Sequence, residues 1–97
     1  MISFAVDGEK IVCSFTERMD TGNCMKCEEE LYEKIRESKL PVVFDLGKVD
    51  YVASMFLRIC MRVVSEAEDG NFSIINVRPH VKKVFKISGI DRGITIS

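Results

Sequence analysis

Along this chain the spacing of apolar residues alternates between that of a strand and that of a helix. Ile2 to Val6 and Lys10 to Thr16 are rich in Val, Ile and Phe, and the Asp7-Gly8 between them suits a tight primed turn. They predict a β-hairpin. Thr16 to Asn23 is polar and contains Gly22, which predicts a loop with Thr21 and Asn23 as candidate helix caps. From Asn23 to Ser38, Cys24, Cys27, Leu31 and Ile35 recur at helical spacing with charged residues between them, predicting an amphipathic helix with one buried stripe.

Pro41 bars that helix from continuing. Val42, Val43 and Phe44 form an apolar run too short for a helix, as in a strand covered on both faces, and Asp45 and Gly47 then close it. Gly47 to Ala53 reads as a loop. A second helix, about Ser54 to Glu68, directs Phe56, Leu57, Cys60, Val63, Val64 and Ala67 inward, with Arg58, Arg62 and Ser65 opposite; Asp69-Gly70-Asn71 stops it. Phe72 to Val77 reads as a strand. Pro79 fits the first position of a third helix, whose Val81, Val84 and Phe85 form a narrow apolar stripe beside Lys82, Lys83 and Lys86. Gly89 and Ile90 suit a left-handed stop, and Gly93 to Ile96 a last short strand.

The order is β-β-α-β-α-β-α-β. It predicts an α/β fold: a mixed sheet of about five strands and three main helices, with right-handed crossovers and the first strand antiparallel at one edge. Ninety-seven residues with 46% apolar content support one small domain, residues 1–97. Ligand sites of open α/β sheets gather at the carboxyl ends of strands, so the loops 17–23, 47–53 and 78–79 should converge there.

Charge and composition narrow the function. At a net charge of -1, neither nucleic acid nor a membrane surface is favoured as a partner. With no long apolar run and no leader pattern, the expected location is cytoplasmic. Cys24 and Cys27 make a CxxC, but no second CxxC or paired His accompanies it. All four cysteines, Cys13 and Cys60 included, read as buried or half-buried free thiols, with no metal and no cofactor. The basic run around the third helix could bind an acidic partner, but a solvated face is the commoner explanation.

Ser54 has the most suggestive position, a hydroxyl where a strand ends and a helix begins. A phosphate there would carry about -1.5 to -2 charges and meet the positive end of the helix dipole, for a gain of about 1 kcal/mol. Arg58, one turn on, could pair with it. The plainer alternative is that Ser54 only caps the helix. Met55 is a candidate apolar anchor or a core residue, Asp20 a candidate cap of the first helix, and Asp45 a structural acid satisfying loop amides. No histidine base lies near Ser54 in sequence and no glycine loop cradles phosphate, so no enzyme is read.

Three stretches together, ERMDTGN, PVVFDLGKVDYVASMFLR and NVRPHVKKVFKISGIDR, resemble the successive signatures of the STAS domain of bacterial anti-sigma factor antagonists. That resemblance implies a small mixed sheet with helices and a protein-binding module. Its partners would be a serine kinase that serves as an anti-sigma factor and a serine phosphatase, with Ser54 the phosphorylated residue. With the helix-terminus reading of Met55 and Arg58 added to the Asp20 and Ser54 that the resemblance matches, the expected partner-binding residues are Asp20, Thr21, Ser54, Met55 and Arg58. The family pattern Asp-Ser-Ser-Gly is here Ala53-Ser54-Met55-Phe56. The alternatives are a constitutive scaffold without phosphate control, or a domain holding a nucleotide or other small ligand. The final helix usual in the family is missing from this sequence, which predicts an uncovered apolar patch near the last strand, filled by a partner or in a homodimer.

Overall fold

The hairpin forms from β1 (Ile2–Asp7) and β2 (Lys10–Met19), paired antiparallel from Ile2↔Phe15 to Asp7↔Lys10, with Gly8 at φ 66° in the turn. The structure is a computed structural model and describes residues 2–67, 71–90 and 94–97. After the hairpin come α1 (Thr21–Ser38), β3 (Val42–Val52), α2 (Ser54–Glu66), β4 (Phe72–Ile75), α3 (Pro79–Ser88) and β5 (Thr95–Ile96). The strands lie in chain order, and β2 to β5 are mutually parallel. The expected mixed sheet and its element order are therefore present. The expected stop at Asp69-Gly70, the last helical residue Glu68 and the strand start at Gly93 lie outside the described residues.

Two expected loops are strand instead. β2 runs on to Met19 and β3 to Val52, paired as Thr16↔Lys48, Glu17↔Val49, Arg18↔Tyr51 and Met19↔Val52. Val49 at 0%, Met19 at 1% and Val52 at 6% exposure supply the inward side of this ribbon. The polar Lys48 and Asp50 and the register shifts at Ser14/Thr16 and Glu17/Arg18 obscure the alternation in sequence.

Cross-strand rows show where the core sits. Ile11, Val42 and Phe72 share one row, and Cys13, Phe44 and Ile74 the next, all buried. Strands laid down in one direction through right-handed crossovers place α1, α2 and α3 on the same face, over these rows. Val43 points the other way, beside Val12 and Ser73, away from the helices, yet it too is buried at 7% exposure, so Val42, Val43 and Phe44 are all covered, as the apolar run predicts. Phe44 stacks edge-on against Phe15 at 4.9 Å and Phe72 at 4.8 Å, and Phe15 against Phe56 at 5.1 Å.

The helices bury narrower stripes than expected. α2 turns in Phe56, Ile59, Cys60 and Val63, leaving Leu57 and Val64 half-buried; Ile59 is a core position that the pattern left out. α3 buries Val81 and Phe85 but leaves Val84 37% exposed, because only one side of this outer helix faces the sheet. Near the last strand, Ile94 is buried and Ile96 half-buried. The large exposed apolar side chains of the described residues lie elsewhere, on β1, β3 and the three helices.

Candidate functional site

The ends of β2 and β3 are tied together, for the Ala53 amide donates to the Met19 carbonyl at 2.9 Å. The residues that follow the two strands, Asp20 and Ala53, are the N-caps of α1 and α2, so Thr21 and Ser54 open two helices from neighbouring parallel strands. Asp20 is the N-cap of α1: its Oδ1 accepts the Asn23 amide at 2.9 Å, and the Asn23 side-chain amide donates to the Arg18 carbonyl at 2.6 Å. Thr21 and Asn23, the expected caps, are instead inside the helix. Thr21 is its exposed first residue.

The N-terminus of α2 is arranged differently. Its N-cap is Ala53, in extended conformation at φ -88° and ψ 168°, with no side-chain cap hydrogen bond. Ser54 is the first helical residue and exposed, so the plain capping role for its hydroxyl is not the one found. The amides of Phe56 and Leu57 turn back to the Ala53 carbonyl at 2.9 and 3.3 Å. Neither α1 nor α2 has an acidic residue in its first turn. The exposed Ser54 hydroxyl thus lies at the positive end of the α2 dipole, while that of α1 already faces the Asp20 carboxylate. Arg58, one turn on, is exposed and carries no salt bridge among the described residues. Met55 is half-buried and packed on the core rather than standing clear as an anchor.

One surface residue escaped the sequence reading. Tyr51 is 41% exposed on the β3 extension, and the Arg18 guanidinium lies over its ring at 4.3 Å. An aromatic three positions before Ser54 was the available signal, hidden by assigning 47–53 to a loop. The third expected segment also arrives here: Arg78 Nε donates to the Gly47 carbonyl at 3.3 Å, and His80 Nε2 to that of Asp50 at 2.7 Å. His80 is thereby engaged with backbone. Asp45 is structural as expected, its Oδ1 accepting from the Gly47 amide at 2.9 Å and from the Asn76 side chain at 3.2 Å.

The cysteines are core residues. All four are free and buried. Burial pushes the Cys13 thiol up to about 12 and, helped by the nearby Cys27, the Cys24 thiol up to about 11; it raises Cys27 and Cys60 as well. Such thiols stay protonated at neutral pH, whereas a nucleophile or metal ligand needs the thiolate.

Comparison with known proteins agrees with this architecture. The STAS domain family matches residues 2–97. The chain is 33% identical over 86 residues to BtrV of Bordetella bronchiseptica, a protein named as a candidate anti-sigma factor antagonist, covering 87% of this chain and 73% of that protein. An anti-sigma factor antagonist from Mycobacterium paratuberculosis superimposes with a TM-score of 0.88 at 17% identity, over 99% of this chain and 83% of that one. The phosphorylated form of the Bacillus cell fate determinant SpoIIAA gives 0.72 at 15% identity, over 100% and 91%.

Proposed function

This chain belongs to the STAS domain family, and from that premise we propose that residues 1–97 form one protein-binding domain that acts as an anti-sigma factor antagonist released by phosphorylation of Ser54. The observation that carries the reading is the exposed Ser54 hydroxyl at a helix N-terminus without a side-chain cap. Free amides and the dipole receive a dianion there at little cost, so the modified chain stays folded. A partner packed over Ser54 has desolvated the hydroxyl, and a phosphate in that contact costs more than a transient complex can supply.

The docking surface consists of Asp20, Thr21, Ser54 and Arg58, with Tyr51 beside them and Met55 supporting from below. The partner is an anti-sigma factor that is itself a serine kinase, and a serine phosphatase resets the switch in the cytoplasm. Neither nucleic acid nor a membrane takes part; no helix among the described residues is long and apolar enough to cross a membrane. The role is regulatory rather than catalytic, since Asp20, Asp45 and His80 are each committed to local hydrogen bonds.

Mass spectrometry of the protein from its own cells tests this reading. Phosphate on Ser54 in part of the population is the expected result. Its absence under every growth condition, with partner binding unchanged by Ser54→Asp, would instead leave a constitutive scaffold.

A further inference from the structure

The outward side of the helix layer carries opposite charges at its two margins. On α1, the exposed Glu29, Glu30, Glu33 and Glu37 outnumber the exposed Lys26, Lys34 and Arg36, so this margin is acidic on balance. On α3, Lys82, Lys83 and Lys86 are exposed and no acidic residue occurs between Pro79 and Ser88. Between them lies α2, whose Arg62 is already held by Glu66 at 3.5 Å and stacked on the Tyr32 ring at 4.3 Å.

Each helix also exposes at least one large apolar side chain: Met25 at 68% on α1, Met61 at 59% on α2, and on α3 Ile87 at 78% with Val84 at 37%. Four-residue steps place Met25 in line with Glu29 and Glu33, and Ile87 in line with Lys83. A groove of about 220 Å³ between α2 and α3, lined by Met61, Val64, Ser88, Gly89 and Ile90, lies among these positions. Apolar anchors bordered by opposite charges on the same layer make a self-complementary surface.

We propose that this helix layer is the interface of a homodimer, in which α1 of each copy lies against α3 of the other. A two-fold axis running along α2 produces that arrangement, because it exchanges the two margins of the layer and brings acid to base at both. Met61 then lies near the axis, and the two α1–α3 contacts are equivalent. The pairing closes on itself, so assembly stops at two copies. It uses the helix flanks and requires no phosphate on Ser54, so it stands or falls apart from the proposed switch.

Sedimentation velocity on the intact chain at sub-millimolar concentration tests it. A dimer is expected at low salt, with the association constant falling roughly tenfold or more at high salt, where exposed charges are screened. Ile87→Glu, at a site exposed enough to leave the fold intact by circular dichroism, should give a monomer. The Lys83→Glu/Lys86→Glu and Glu29→Lys/Glu33→Lys chains should each be monomeric alone and dimeric when mixed, since the mixture restores both contacts. A wild type that remains monomeric at low salt overturns the proposal. So does a dimer that ignores the charge reversals, or assembly that grows beyond two copies.

Discussion

Replacing Ser54 by alanine distinguishes a capping hydroxyl from a displayed one, and Asp20 provides the internal standard. Asp20 Oδ1 accepts the Asn23 amide at 2.9 Å, so Asp20→Ala strips α1 of its cap and should cost about 1 kcal/mol. Ser54 is an exposed first helical residue and the α2 cap position is Ala53, so Ser54→Ala should change stability by no more than about 0.5 kcal/mol. In a chain of this size 1 kcal/mol corresponds to about 4–8 °C in Tm. The two variants should therefore separate cleanly in urea titrations followed by far-UV circular dichroism, with unchanged slopes and different midpoints. Ser54→Asp should gain about 0.3–1 kcal/mol from the dipole at low salt and lose the gain as salt rises. Equal losses for Ser54→Ala and Asp20→Ala would show that the Ser54 hydroxyl caps the helix, and the argument that it is free for modification would fail. A stable Ser54→Asp chain also gives the partner experiment its meaning, because lost binding could not then be ascribed to lost fold.

Ala53→Ser should supply the missing cap of α2, raising stability by about 0.5–2 kcal/mol in the same titration; no gain would mean that the buried cap site cannot accommodate an oxygen. Phe44→Ala removes the ring that packs against Phe15 and Phe72 and should cost about 3–5 kcal/mol, most of the margin of a small domain, while a loss below about 1 kcal/mol would contradict the packing. The buried thiols make stability depend on alkaline pH. The fold raises Cys13 from the ordinary 9.0 to about 12 and Cys24 to about 11, so above pH 9 the unfolded chain releases protons that the folded chain keeps. Stability is then full below pH 9 and falls as pH rises toward the folded values, by up to about 1.4 kcal/mol per pH unit for each thiol. Urea midpoints that stay level from pH 8 to about 11 would refute this account.

Element order and the core of the sheet were readable because those signals are local. The spacing of Cys24, Cys27 and Leu31 marks a helix whatever surrounds it, and Pro41 and Gly89 punctuate by their own backbone limits. Cap assignment was less readable, because a capping role depends on where the chain turns by a single residue. Asp20, Thr21 and Asn23 are all competent caps, and the choice fell to Asp20 because β2 runs on to Met19 before it bends. Ser54 was displaced from its cap by the same cause: β3 continues to Val52, so the extended residue before the helix is Ala53.

The strand extensions also account for the position of the site. Among the described residues β1 pairs with β2 as far as Phe15 and β4 with β3 as far as Asp45, so residues 17–19 and 49–52 go on as a two-stranded ribbon. An isolated two-stranded ribbon is marginal in water, so this one must be held from outside. Inward burial of Met19, Val49 and Val52 anchors it from beneath. From α3, Arg78 and His80 hold the Gly47 and Asp50 carbonyls, and Arg18 covers Tyr51 on the outer side. Every one of these holds involves a residue far from its partner in the chain or on the neighbouring strand, which is why no window of sequence discloses the ribbon. Its consequence is local to Ser54, which is displayed at the end of a braced ridge rather than in a loop free to adapt. A partner that fits the ridge therefore pays little ordering entropy, and a phosphate placed there cannot be accommodated by the ridge moving aside.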